Sequence, residues 1–452
     1  MRALRSAKFL LAIPLMLACG SDSEGQQQPS KEATDSGVLD TGMLGGDAGA
    51  DVTSGDEPVS FCQGGPIALP QLDSCTTDLA KKTFLFAVCS CSNITYMGEL
   101  VTDSLDSTQG SESLPGGSVG SNGAMECTSA NATQIGGDLW VAEDTTVVGG
   151  VAVASDLHVG KMLTGSGMTV DGDAYLAEGA QGWGHVVKGQ VHAPNGALLT
   201  GVDAQGGVVR EPVTVQTPCD CDSPIDIQAI VASFANDNDN EAAGIGASHL
   251  FSTVGPVELT LGCGRYYFDA IGGTGDTVIH LSERTAIFVA GDVDIQGSLT
   301  FDLGPNAELD LFVTGGVTFS GTVVLGDVAR PAATRVYIGE GMSYAGNQVL
   351  AGNLYLPNGS LSATGQTEVW GSLFVGAISI PGELTVHYDE AILTLPSCDQ
   401  PPASPGCNDC HGCANPAPAC VDGACVRCTQ DSDCCAPLKC ATASGYCVAS
   451  VK

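Results

Sequence analysis

From about residue 61 to residue 395 the chain repeats one pattern: short runs in which every second residue is apolar, closed by Gly, Asn or Asp. The clearest stretch reads Val293, Ile295, Leu299, Phe301, Leu303, then Leu309, Leu311, Val313, then Val317, Phe319, Val323 and Leu325. A period of two puts all these side chains on one face of successive strands and rules out a helical reading. Starts of the form Gly-polar-apolar recur at Gly137-Asp138-Leu139, Gly172-Asp173-Ala174, Gly291-Asp292-Val293, Gly352-Asn353-Leu354 and Gly371-Ser372-Leu373. They return after 24 residues between Gly291 and Gly315 and after 19 between Gly352 and Gly371. A repeat of that length is one coil of a solenoid, each unit burying its apolar side on the next. The predicted fold is therefore all-β, a right-handed parallel β-helix. The 60 glycines among 452 residues suit it, because tight corners between short strands need backbone conformations that other residues avoid.

Gly189 to Leu198 aligns without gaps to Gly352 to Leu361, and Asp173 to Gly179 aligns to Arg335 to Gly341. This points to two solenoid halves, residues 60–222 and 223–396. One helix interrupts them: Ser223-Pro224 supplies an N-cap and a first-turn proline, and Ile227, Ile230, Val231 and Phe234 follow at i, i+3, i+4 and i+7. Its expected place is as a cap or brace between the halves.

At the N-terminus Arg2, Arg5 and Lys8 precede the short apolar run Phe9 to Leu17, which ends in Leu17-Ala18-Cys19-Gly20. The run is too short to cross a bilayer, so residues 1–18 read as an export signal. The Leu-Ala-Cys end resembles the lipobox of bacterial lipoproteins, with Met16 where Leu is usual. That resemblance implies Cys19 as the lipidated first residue of the mature chain, and Gly20 after it implies the outer membrane. Acyl chains contribute about 0.8 kcal/mol per buried CH₂, so several together make a durable membrane anchor. Residues 19–59, rich in Ser, Gly, Gln, Asp and Glu, bury too little apolar surface to fold and read as a disordered acidic tether.

The formal net charge is −35, from 16 Lys+Arg against 51 Asp+Glu. No basic patch can neutralise phosphate, so nucleic acid is excluded as a partner. Twenty cysteines in an exported chain imply disulfides. The candidates are Cys62, Cys75, Cys89, Cys91, Cys127, Cys219, Cys221, Cys263 and Cys398, then Cys407, Cys410, Cys413, Cys420, Cys425, Cys428, Cys434, Cys435, Cys440 and Cys447 in a cysteine-rich module over 397–452. With Cys19 on lipid the remainder is odd, so one cysteine is free or pairs between chains. Cys89-Ser90-Cys91 and Cys219-Asp220-Cys221 each place two thiols on one face of an extended segment, and coils about 4.8 Å apart are within disulfide reach. Cys425-Val426-Arg427-Cys428 through Cys434-Cys435-Ala436-Pro437-Leu438-Lys439-Cys440 to Cys447 resembles the Cys-Cys spacing of small knottin-like or Dickkopf-like modules. The run Cys407-Asn408-Asp409-Cys410-His411 matches c-type haem attachment formally, and Cys407, Cys410 and Cys413 match zinc spacing. A disulfide module accounts for all ten tail cysteines where these account for two or three, so no cofactor and no metal is expected.

Cys263-Gly264-Arg265-Tyr266-Tyr267-Phe268-Asp269, Glu308-Leu309-Asp310-Leu311-Phe312-Val313 and Val386-His387-Tyr388-Asp389 resemble an uncharacterised solenoid domain of exported and pilus-assembly-associated bacterial proteins, and more distantly the polymer-forming bactofilins. The resemblance covers roughly residues 225–395 and implies a β-helix with no catalytic residues to carry over. Asp237, Asp239 and Glu241 alternate like part of a calcium loop, but Ala242 stands at the EF-hand glycine and Ser248 at its last glutamate, which leaves a weak calcium site open. Tyr175, Trp183, His185, Tyr266, Tyr267, Tyr337, Tyr344 and Trp370 are candidates for a glycan-binding face or for stacking rungs of the solenoid. The seven histidines form no H-E-x-x-H motif, and neither G-x-S-x-G nor a P-loop occurs. The expectation is a non-enzymatic surface lipoprotein of structural or adhesive role, held to the membrane by lipid and partnered by glycans or other surface proteins. The alternatives are a polysaccharide-active β-helix enzyme, by fold analogy, and an envelope or pilus scaffold built by end-to-end stacking.

Overall fold

A computed structural model describes residues 61–63, 67–69, 74–128, 133–248, 250–252 and 256–395, with short segments between 419 and 449. These belong to one compact unit, Glu57–Lys452. The signal, Cys19, the tether, Cys398, Cys407, Cys410, Cys413 and Cys435 lie outside the described residues, as do the haem-like and zinc-like runs.

The chain winds into a parallel β-solenoid of about 13 turns. Each turn has three faces, illustrated by Gly264–Phe268 on the first, Ile271–Gly273 on the second and Thr277–Leu281 on the third, before Thr285–Val289 returns to the first. Period-two burial is as expected: Leu139, Val141, Leu157, Val159, Val170 and Val191 are fully buried in the lumen. Each such side chain contributes about 1.5–3 kcal/mol on leaving water.

The order of the turns in space differs from their order in the chain. On the first face, Tyr267 pairs with Phe288, then Phe312, Tyr337, Tyr355 and Phe374 follow rung by rung. The next rung is Cys89, from the other end of the domain. Gly120, Trp140, His158, Tyr175, His192 and Val209 then complete the column. The second and third faces agree, with Ile378 paired to Ile94 and Leu384 to Leu100. The C-terminal half therefore lies first in the stack and the N-terminal half continues it, strand on strand. The buried Asp389 carboxylate closes this junction, accepting hydrogen bonds from the backbone of Ser107, Ala332 and Ala391 and from the Ser107 hydroxyl.

The helix is present as Ile227–Ser233, with Ile227, Ile230, Val231 and Phe234 all buried. Its position corrects the expectation: it does not lie between the halves, which meet directly, but lines the flank of the C-terminal half, where Phe234 stacks on Phe288 at 4.0 Å. Its cap is Asp226, whose carboxylate accepts from the Ala229 N–H at 2.9 Å, three residues later than the Ser223 expected. The start is delayed because the Ile225 N–H is held by the Tyr355 hydroxyl. Two further short helices, Thr76–Thr83 and Asn240–Ala243, were not foreseen.

The Gly-Asp signature is a corner device. Asp138 Oδ1 accepts from the Asp156 N–H, Asp156 Oδ1 from the Asp173 N–H and Asp173 Oδ1 from the Gln190 N–H, at 3.0, 2.7 and 2.6 Å. Each carboxylate thereby satisfies the donor of the next turn, and the glycine leaves the room for it. A Cβ on Gly189 would lie 2.2 Å from Asp173 Oδ1 and 2.4 Å from the Gly172 carbonyl oxygen. Since the backbone atom cannot swing away, Gly189→Ala is expected to cost about 1–3 kcal/mol in thermal or urea unfolding. An unchanged midpoint would show that the corner tolerates a side chain. These turns are 17 or 18 residues apart, against 24 from Asp292 to Gly316 and 25 from Val323 to Gln348 in the C-terminal half.

Candidate functional site: a strapped aromatic ladder

The middle residue of each first-face strand points outward, and in most turns it is aromatic. In the C-terminal half the column is buried: Phe234, Phe288, Phe312 and Tyr337 stack at 4.0, 5.3 and 4.6 Å, and Tyr355 and Phe374 continue it at 5.9 and 5.1 Å. In the N-terminal half it is half-buried, with Trp140 on His158 at 3.6 Å, His158 on Tyr175 at 4.7 Å and Tyr175 on His192 at 4.6 Å. Burial pushes the His158 imidazole down from its ordinary value, against the opposing pull of Asp138 and Asp156.

A strap returns over this column from the far end. After Arg210 the chain turns back, with Glu211 taking the Nδ1 position of His192 at 2.7 Å. By Cys219 it has reached the rung of Cys89 and Gly120, where Pro218 lies over the Gly120 backbone. From His192 to Cys89 is five rungs, about 24 Å, covered by residues that extend about 3.3 Å each, so the strap runs nearly straight. Two parallel disulfides pin it, Cys89–Cys219 and Cys91–Cys221, with Cα separations of 5.8 and 5.7 Å. The Asn122 amide grips the same point, donating to the Cys219 carbonyl and accepting from its N–H. A third described disulfide, Cys62–Cys263, ties the segment before the solenoid to its first turn.

Cys75, Cys428 and Cys434 are disulfide-bonded as well. Among the described residues Cys127 is free, and it is buried in the lumen, because its position on Met125–Cys127 points inward. Cys420, Cys425, Cys440 and Cys447 sit in two small antiparallel strand pairs, Ala419–Val421 with Ala424–Val426 and Leu438–Ala441 with Tyr446–Ala449. The candidate glycan-binding aromatics do not converge. Tyr266, Tyr337, Tyr344 and His185 are buried, Tyr267 is partly buried, and Tyr175 has both ring faces taken by its neighbours in the stack. Trp370 packs on His387 at 4.2 Å, and Trp183, 73% exposed, stands away from them. At the calcium-like run, Arg265 occupies the carboxylates: its guanidinium meets both oxygens of Asp237 at 3.2 Å, and its N–H donates to Asp239 at 2.7 Å. Among the described residues no three His, Cys, Asp or Glu side chains group as a metal site.

Two charged constellations were not anticipated. Arg335, fully buried in a strand, donates to both oxygens of Asp310 at 2.6 and 3.1 Å, to Glu308 at 2.9 Å and to the Ala332 carbonyl at 3.0 Å. Burial alone would push the guanidinium down; Asp310 and Glu308 outweigh it and hold the pKa up. Glu308 and Arg330 rim an open bowl beside Ser107 and Ala391. At the junction of the halves, His387 Nδ1 contacts Asp103 at 2.7 Å and Nε2 faces Glu368 at 3.5 Å. The hydrogen bond that His387 donates to the Asp103 carboxylate is the main cause that raises its pKa, against partial burial. A folded-state pKa above the unfolded value of about 6.5 contributes stability that is complete below that value and is lost as pH rises through the folded pKa. His387→Gln is therefore expected to lower the melting temperature more at pH 5 than at pH 8; an equal loss at both would remove this link between the halves.

The sequence profile of a family described as "Domain of unknown function (DUF7305)" matches residues 220–395. The matched span begins at the strap's cysteine pair and takes in the bracing helix and the C-terminal half of the stack. No curated protein and no solved structure matches the chain.

Proposed function

We propose that the chain is an exported lipoprotein, anchored through Cys19 at the outer membrane, that holds a disulfide-locked β-solenoid at the cell surface in a structural or adhesive role. The observation that supports it best is the strap. Paired disulfides that join positions 130 residues apart are characteristic of an oxidising compartment and rare in a reducing one, which agrees with the export signal. The lateral faces are lined by hydrogen-bonded rungs that repeat from turn to turn, a durable surface for display. The partners that suit an acidic surface of this kind are neutral glycans or other surface proteins. The test compares wild-type cells with cells carrying Cys19→Ser and with a deletion strain. Expected are an acylated N-terminal cysteine by mass spectrometry, loss of membrane retention in Cys19→Ser, degradation of the protein by protease added to intact wild-type cells, and reduced adhesion in the deletion strain. An unmodified Cys19 with unchanged retention would overturn the anchor. Adhesion equal to wild type in the deletion strain, with no binding of purified protein to cells, matrix or glycans, would overturn the role.

A further inference from the structure

The two ends of the stack are built differently. At the first turn Leu261 and Phe268 are buried, and although Val257–Leu261 pairs on one side only, the outer edge of Gly264–Phe268 is closed by the chain itself: Asp239 exchanges hydrogen bonds with the Arg265 backbone at 2.7 Å, and the Asn240 amide bonds the Tyr267 N–H and carbonyl at 3.0 and 2.6 Å. Among the described residues the last turn has no such cover. Leu198–Ala204 pairs only with Gly179–Val187, and Val208–Arg210 only with Val191–Ala193. Their other edges present unpaired backbone, Leu199, Val202 and Ala204 are only partly buried, and Leu198 and Val208 are 63% and 46% exposed.

Natural proteins blunt such edges with charge, proline or a covering segment. Neither strand of this edge contains proline. In a chain of net charge −35, the turn from 191 to 210 carries one Asp and one Arg, Asp203 and Arg210. Arg210 turns inward to its own loop, donating to the carbonyls of Pro194 and Ala197 at 3.0 Å each. The end is thus charge-balanced where most of the molecule repels its own kind.

We propose that two copies of this chain join through their last turns, edge to edge about a two-fold axis. The complement of an open triangular turn is another such turn, and strands of the two copies then run antiparallel across the axis. Because Asp239 and Asn240 stand over one face of the opposite end, that end cannot seat flat on another turn, and the assembly stops at a dimer and does not grow into a filament. This inference is independent of the anchor and of the adhesive role.

The test is sedimentation and light scattering of the detergent-solubilised full chain over a wide concentration range, for wild type, Val208→Lys and Val349→Lys. Val349 is as exposed as Val208, at 46%, but lies on the flank of the stack. Wild type and Val349→Lys are expected to be dimers. Val208→Lys brings two like charges together across the axis and is expected to weaken the dimer by on the order of a hundredfold or more, with an unchanged circular dichroism spectrum. A wild-type monomer at every concentration, open-ended polymers, or a dimer indifferent to Val208→Lys would each overturn the proposal.

Discussion

Replacing both strap disulfides, as Cys89→Ser/Cys219→Ser with Cys91→Ser/Cys221→Ser, is expected to lower the stability of the N-terminal half by about 5 kcal/mol, whereas replacing either pair alone costs a small fraction of that. Each bond closes a loop of 130 residues. In the chain-entropy account a closure of that size contributes about 5 kcal/mol. Once one bond has formed, the second joins residues already held together and removes little further freedom from the unfolded chain. The two energies are strongly non-additive for that reason, as expected of contacts that share one constraint. Unfolding of the three variants, followed by amide hydrogen exchange at Leu139 and Val141, reads the effect directly. Two equal, additive losses would show that the bonds act on the folded state and not through the loop.

The second large effect belongs to the buried ion pair. Arg335→Met leaves the Asp310 carboxylate, itself inaccessible to solvent, without its bidentate partner, and is expected to cost about 3–5 kcal/mol. Adding Asp310→Leu removes the stranded charge, so the double variant is expected to recover most of that loss. The sign follows from desolvation: breaking a buried pair leaves an unpaid charge, whereas replacing both members with apolar groups leaves none. Urea titrations of the single and double variants decide it. A double variant as unstable as Arg335→Met would mean that the hydrogen bond to Ala332 or the contact with Glu308, not Asp310, is what Arg335 supplies.

The solenoid was legible because its two signals are local. Alternation fixes which side chains enter the lumen, and Gly-Asp marks the corner where a carboxylate reaches the next turn. The aromatic ladder was equally available: Leu139-Trp140-Val141, Leu157-His158-Val159, Ala174-Tyr175-Leu176 and Val191-His192-Ala193 each set an aromatic ring between two apolar residues. The spatial order of the halves was not legible, since Val88-Cys89-Ser90 and Leu373-Phe374-Val375 carry nothing in their pattern that names each other as neighbours. The nearest hint was the matched Cys-x-Cys pairs. Arg335 and Asp310 read as outward, solvated positions of ordinary strands. They are buried because Ala332 and the segments around Ser107 and Asp389 fold over them from elsewhere in the chain. Cys127 looked like its fellow cysteines until strand phase turned it inward.

The inverted order of the turns governs how such a chain can mature. The strand Val88–Ser90 meets its lower neighbour only when Leu373 to Val375 have been delivered, so an N-terminal half that has already wound up waits with one raw edge through most of synthesis. Long-range closure of this kind is slow and leaves intermediates open to mispairing. Loss of residues after about 366 would therefore strand the whole solenoid in an unclosed form, although all that it loses of the stack is the turn made last in the chain.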